Sequence, residues 1–328
     1  MDWEIIFGNA ARSAVGPVAA SYALLAIGLN MHYGYTGLLN FGVAGFMLVG
    51  AYGLGIAVAI AGWSMWVGVL VGVGAGIVLG LVLGFPTMRL RADYLAITTI
   101  AVAEILRRVV RATAVTDYTG GPFGLQSIAP DFYDLNPFSS GRQGFGILTF
   151  SSTRLWALIV TWGLVALSAL FLWLLMRSPW GRVVRSIRED EEVARSLGKN
   201  VFAYKLQSLM VGGFFAGLGG VMFAIGSQSV NVNAFLPQVT FFVWTVLILG
   251  GAATTFGPIV GAMLFWFLIT GVASFLREGA SEGLIPGILG DPDSQGAVTL
   301  VLVGVGLISL LVFRPQGIFG SRREMEIE

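Results

Sequence analysis

Apolar runs close to twenty residues long recur along the whole chain, at about 14–31, 38–60, 64–85, 93–111, 154–176, 205–226, 238–254, 257–277 and 295–313. Each is near the length an α-helix needs to cross about 30 Å of hydrocarbon. Lipid offers the backbone no water, so each run must close its hydrogen bonds internally, as a helix. The sequence therefore predicts an all-α polytopic integral membrane protein with about nine transmembrane helices, within a range of about 8–10. It reads as a single membrane-spanning domain over residues 1–328. Charged residues make up 11% of the chain, against about 25% in a soluble domain. That is too few to clothe a soluble surface, which agrees with the bilayer being the solvent.

Glycine interrupts two of the runs. Gly34, Gly37, Gly42 and Gly45 break the second, and Gly250, Gly251, Gly257 and Pro258 separate the seventh from the eighth. Broken or re-entrant helices are expected at both places, and irregular backbone there needs protein or a water-lined cavity around it. Both breaks carry an aromatic-glycine step, at Phe41-Gly42 and Phe256-Gly257. Paired interruptions of this kind can flank a transport path. The chain has 46 glycines, and the others fall mostly inside the apolar runs. Membrane helices use small residues there to approach one another closely.

Two polar segments remain. Residues 112–153 are rich in Gly, Pro, Asp, Asn and Ser. Residues 177–204 are the most charged stretch of the chain. The positive-inside bias places 177–204 in the cytoplasm, together with Arg89, Arg91, Arg314, Arg322 and Arg323. The N-terminus and 112–153 then lie outside, with Arg12, Arg142, Arg154 and Arg277. Arg107, Arg108 and Arg111 run against the bias, but they follow Glu104 at helical spacings that allow local pairing. Asp93 and Glu104 are the acids nearest a span interior, and a helix-start or ion-pair role accounts for both. The N-terminus reads as a polar or interfacial lead-in rather than a signal peptide, because Asp2 and Glu4 stand where a basic region belongs.

Several chemistries are excluded. A net charge of +1 gives no basic field for nucleic acid. The chain has no cysteine and one histidine, His32, so no disulfide and no multi-histidine metal site is expected. Neither lysine, Lys199 nor Lys205, sits in a Gly-x-x-x-x-Gly-Lys-Ser/Thr loop, so no phosphate-cradling loop is present. No enzyme is read from the sequence. Asn30, Asn40 and Gln207 are candidates for a polar translocation path, and each could equally hydrogen-bond between helices.

In 183–197 the apolar residues Val183, Val184, Ile187, Val193, Ala194 and Leu197 recur near a helical period, and Gly198 follows as a stop. This predicts a short amphipathic helix, with a stripe suited to a partner's groove or simply a solvated loop. Glu192-Val-Ala194-Arg-Ser-Leu-Gly198 resembles the Glu-Ala-Ala-x-x-x-Gly loop of ABC importer permeases. Gly34-Tyr-Thr-Gly37-Leu-Leu-Asn40-Phe41-Gly42, Arg89-Leu-Arg91-Ala92-Asp93, Thr119-Gly-Gly-Pro122-Phe123-Gly124 and Phe313-Arg-Pro-Gln-Gly317 resemble, in order and spacing, the branched-chain amino acid ABC permease family, M-type subunit. The sequence departs from that family at Ala92, where it usually has Gly, and at Phe123, where it usually has Asn.

The resemblance implies a permease subunit of an ATP-driven importer in the bacterial inner membrane. It implies a second, unlike permease subunit, two ABC ATPase subunits that carry the ATP, an extracytoplasmic solute-binding protein and surrounding lipid. This chain would bind no cofactor itself. Carried over, Glu191, Glu192, Ala194 and Gly198 form the ATPase contact, with Arg185 and Arg188 as charged neighbours. Small Ala194 would permit close approach, and Gly198 the turn. The solute would be a branched-chain amino acid or a related amide, urea-like or carboxylate compound. Two alternatives stay open: an ion-gradient-driven secondary transporter, which needs a buried acid at mid-membrane, and a membrane assembly subunit with no transport path.

Overall fold

The structure is a computed structural model that describes residues 2–88, 92–139, 141–283, 292–313 and 316–320. Arg89, Arg91, Arg314, Arg322 and Arg323 lie outside the described residues, as does the side chain of Asp93. All nine apolar runs coincide with helices. In chain order these are α1 (Trp3–Ala14), α2 (Pro17–Leu29), a π-helical turn (Asn30–Tyr35), α3 (Val43–Gly55) with a second π-helical turn (Ile56–Ile60), α4 (Met65–Thr87) and α5 (Ala92–Arg111). Short α6 (Thr116–Thr119) and α7 (Pro130–Asp134) follow, then α8 (Ser152–Arg177), α9 (Pro179–Glu189) and α10 (Glu191–Ser196). The chain continues with α11 (Val201–Ser227), α12 (Pro237–Gly250), α13 (Gly257–Ser281) and α14 (Pro292–Phe313).

Among the described residues, five helices are long and apolar enough to cross a membrane on their own, and the pair α1–α2, bent by 43°, makes a sixth. Two of the three remaining runs fall short for local reasons. Helix α5 carries Glu104, Arg107, Arg108 and Arg111. Helix α12 has only 14 residues, a rise of about 21 Å. Helix α14 is 22 residues long, and Gln295–Gly306 is its described apolar part. The lead-in expected at the N-terminus is a helix, capped by the Asp2 carboxylate on the N–H groups of Glu4 and Ile5. Residues 112–153 are more ordered than a plain loop. Strands β1 (Leu125–Gln126) and β4 (Ser229–Val230) pair antiparallel, and so do β2 (Arg142–Phe145) and β3 (Leu148–Ser151).

Helix α11 is the central post. It is buried over 72% of its span, whereas α8 and α13 are buried over only 28%. Helices α2, α3 and α4 pack around it. Helix α4 contributes a row of glycines four residues apart, Gly68, Gly72, Gly76, Gly80 and Gly84, all buried. Each four-residue step turns the row by about 40° around the helix, because a residue advances about 100°. The row accordingly starts on α3, at Leu54 and Val58, and ends on α11, at Leu209 and Leu206. Close backbone approach of this kind holds membrane helices together where lipid gives no hydrophobic drive.

Both predicted breaks exist. The first runs from Gly37, with φ +74°, to Gly42. Its backbone groups are paired inside protein: Leu38 N–H donates to His32 O, Phe41 N–H to Thr99 Oγ1, and Gly42 N–H to Asn40 Oδ1. The second, 251–256, turns between α12 and α13 with positive φ at Gly251 and Ala253. Asn30 reaches the second break at 253–254, and Ala44 N–H, just past the first, donates to Thr240 Oγ1 on α12.

Candidate functional site: the α9–α10 elbow and the polar core above it

The charged segment folds as two helices, not the single helix its periodicity predicts. Asp190 breaks them apart in extended conformation, with φ −153° and ψ 109°. Its carboxylate accepts from the N–H groups of Glu192 and Val193, which caps α10. An Asp at this position satisfies orphan donors that a continuous helix would not leave. The elbow splits the apolar stripe. Val184, Ile187 and Ala194 turn inward, Ala194 to 2% exposure, against Val201 and Tyr204. Val193 and Leu197 turn outward, at 55% and 72% exposure. The Ala194 methyl is therefore packed in the chain's own interior, and the apolar surface offered outward belongs to its neighbours. Gly198 has φ +75° with open space where a side chain would stand, so its role is conformational.

The elbow is fastened to the start of α11. Glu191 pairs with Lys205 of α11 and with Arg195, the latter at 2.8 Å. Trp180 Nε1 donates to Gln207 Oε1 at 2.7 Å. Arg185 lies over the Tyr35 ring, 5.7 Å from its centre. Arg188 stacks its stem below Gly37, and with Glu191, Lys205 and Thr36 it lines a cavity of about 290 Å³. Glu192 is exposed. The elbow thus touches the first break directly, through Arg188 and Gly37.

Above it lies a buried polar network. Asn30 and Asn40 are 0% exposed and His32 is nearly so. Asn30 donates to Thr254 O and accepts from Ala253 N–H, both at 2.8 Å. Asn40 bonds the His32 ring at 2.9 Å, and the other ring nitrogen meets Leu209 O of α11 at 3.1 Å. Trp244 Nε1 donates to Asn40 O. These amides have their partners inside the subunit and present no surface to a solute. Of the three path candidates only Gln207 is exposed, and its oxygen holds Trp180. Glu104 is paired locally with Arg107 and Arg108 at 2.8 Å each, and among the described residues no carboxylate is buried.

At the opposite end of the bundle the Thr119–Gly124 turn is clamped by β4. Gly120, Gly121 and Gly124 take positive φ, and Asn231 Nδ2 donates to Pro122 O and Phe123 O. The clamp holds Phe123 out at 84% exposure.

The chain is 31% identical over 312 residues to the high-affinity branched-chain amino acid transport system permease protein LivM of Salmonella typhimurium, covering 92% of this chain and 68% of that one. It is 24% identical to the corresponding permease protein LivH of Escherichia coli, covering 94% of each. A nucleoside ABC transporter permease protein of Lactococcus lactis, NupC, is also 24% identical, over 79% of this chain and 78% of that one. The family model described as the permease component of branched-chain amino acid transport systems matches residues 14–310. The chain is thus a multi-pass membrane permease of the branched-chain amino acid ABC transporter family.

Proposed function

We propose that the α9–α10 elbow is the handle by which ATPase subunits drive this permease. The observation that carries it is the outward pair Val193 and Leu197 on a helix that is itself fastened to α11 and to the Gly37 break. Exposed Leu and Val in a charged cytoplasmic segment suit a partner's apolar groove. In this reading Arg185 and Glu192 form the rim, where charges set register and on-rate, and Arg188, Glu191, Ala194 and Gly198 hold the elbow's shape. Movement of the elbow passes to α11 through Lys205 and to the first break through Arg188.

The assembly holds a second, unlike permease, two ABC ATPases that bind and hydrolyse the ATP, and an extracytoplasmic solute-binding protein. It sits in the bacterial cytoplasmic membrane with 177–204 inside and 112–153 outside. LivM and LivH carry separate names as permease proteins, which supports unlike pairing. This chain binds no cofactor. The solute is a branched-chain amino acid or a related small polar compound; a nucleoside permease among the relatives supports that breadth. The interior amides are consumed by hydrogen bonds, so the path runs along a face shared with the second permease. The absence of a buried carboxylate among the described residues argues against an ion-driven carrier.

The test is the double variant Val193→Asp with Leu197→Asp in the reconstituted transporter. Both side chains are exposed, so helicity and membrane insertion should not change. ATP-dependent uptake should fall by about tenfold or more, because two apolar anchors are lost and two charges are buried in their place. Wild-type uptake in this variant, or uptake driven by an ion gradient alone, would refute the handle. Sidedness is checked separately. The chain has no cysteine, so Leu197→Cys should react with an impermeant thiol reagent only from inside, and Phe123→Cys only from outside.

A further inference from the structure

Four arginines spread from position 12 to position 277 face one cavity. It has a volume of about 870 Å³ and lies at the end of the bundle opposite the α9–α10 elbow. The start of α2, the end of α11, the start of α8, the second half of α13 and the β2–β3 ribbon enclose it. Arg12, Arg142, Arg154 and Arg277 all line it, and no Asp or Glu does. Among the described residues none of the four makes a salt bridge. Arg12 is held in place by Gly8 O at 3.1 Å and Asn9 Oδ1 at 3.0 Å.

Arg142, Arg154 and Arg277 are exposed and Arg12 is half-buried, so all four guanidinium groups are open to an anion that enters the cavity. Two further features add to the positive field. Helix α2 begins at this cavity with no side-chain cap on its first turn, and an uncapped N-terminus is itself suited to phosphate. Helix α8 also begins here, beside Arg154. The remaining wall is apolar, with Val18, Met222, Phe223 and Ile269. Alongside, α1 turns Trp3, Ile5 and Phe7 outward, as an interfacial helix does at the headgroup boundary.

We propose that this cavity binds the phosphodiester headgroup of an anionic phospholipid, with the arginines on the phosphate and the apolar wall against the glycerol and the first acyl carbons. Arginine forks match phosphate oxygens two at a time. The half-apolar lining is what separates a lipid from a free anion. The site gives a role to four arginines that the orientation proposed above places on the extracytoplasmic side.

The full-length chain in detergent micelles is titrated with phosphatidylglycerol or phosphatidylcholine, and retained lipid is counted by native mass spectrometry. Phosphatidylglycerol should be preferred by on the order of tenfold. The triple variant Arg142→Gln, Arg154→Gln, Arg277→Gln should lose that preference, while Arg108→Gln, on an exposed arginine elsewhere, should keep it. The single variant Arg154→Gln, at an exposed helix start, guards against a triple variant that fails to fold; it should reduce the preference about threefold. An undiminished preference in the Arg154 single variant, or an equal loss in the Arg108 control, overturns the proposal. Complete displacement of the lipid by millimolar inorganic phosphate also overturns it, by assigning the site to a free anion.

Discussion

Gly76→Leu is expected to abolish accumulation of folded protein, and Gly74→Leu to leave it near wild type. A side chain at Gly76 would overlap Gly213 O and press within 3.1 Å of Gly217 Cα on α11. Neither obstacle is the tip of a flexible side chain that could swing away. Overpacking a core costs about 1–3 kcal/mol where side chains can shift. Here two backbones must separate, so the cost exceeds about 3 kcal/mol. Separation also breaks contacts along the whole Gly68–Gly84 row, since a rigid helix cannot be displaced at one turn alone. A side chain at Gly74 meets nothing within 4 Å. Fluorescence-detected size-exclusion chromatography with a thermal ramp measures both variants. Equal behaviour of the two would show that the α4–α11 contact is not what holds the bundle.

Asn30→Leu is the second large effect. The Asn30 amide holds Ala253 N–H and Thr254 O, the backbone of the turn between α12 and α13. Leucine keeps the branched shape and the number of heavy atoms and removes both partners. Each buried group left unpaired costs about 1–3 kcal/mol, so a total of about 2–6 kcal/mol is expected. Ala253 sits at φ +60°, a conformation a non-glycine residue holds only when its surroundings enforce it. Loss of the amide should therefore release the turn as well as destabilise the subunit. Hydrogen exchange of 251–257 should speed up well beyond the change in α11. Unchanged exchange in that segment would remove Asn30 from this role.

Much of the fold was legible in the sequence because bilayer thickness fixes the length of an apolar run, and all nine runs became helices. The charged stretch 177–204 was also legible as a helical segment between two spans. Its shape was not. Periodicity treats Val193, Ala194 and Leu197 as one stripe, and only the cap made by Asp190 shows that α10 is turned relative to α9, so that Ala194 goes in and its neighbours go out. An Asp followed by Glu-Glu and an apolar residue is a helix-start signal, and it marks the elbow in the sequence. The glycine row of α4 was likewise written in the sequence, as Gly at every fourth position from 68 to 84. It was hidden among the other glycines, because composition alone does not say which of them meet a neighbour. Asn30 and Asn40 read equally as path residues and as hydrogen-bond partners between helices, because polar groups in lipid are costly unless satisfied. The same cost is met by hydrogen bonds within the subunit, and sequence does not separate the two outcomes. The convergence of Arg12, Arg142, Arg154 and Arg277 depends on packing between distant segments and had no local signal.

The short α12 has a consequence for how thick the wall of this subunit is. Its 14 residues leave about 9 Å of a 30 Å hydrocarbon layer uncrossed. The chain fills part of that deficit from elsewhere: Ile318 N–H donates to Leu249 O at 3.1 Å and Phe319 N–H to Gly250 O at 3.0 Å. The segment 316–320 is therefore a stopper set under a helix that ends early, and it seals carbonyls that would otherwise face lipid or water. Drawing out that stopper would leave the Leu249 and Gly250 carbonyls in need of new partners, with no helix having to tilt.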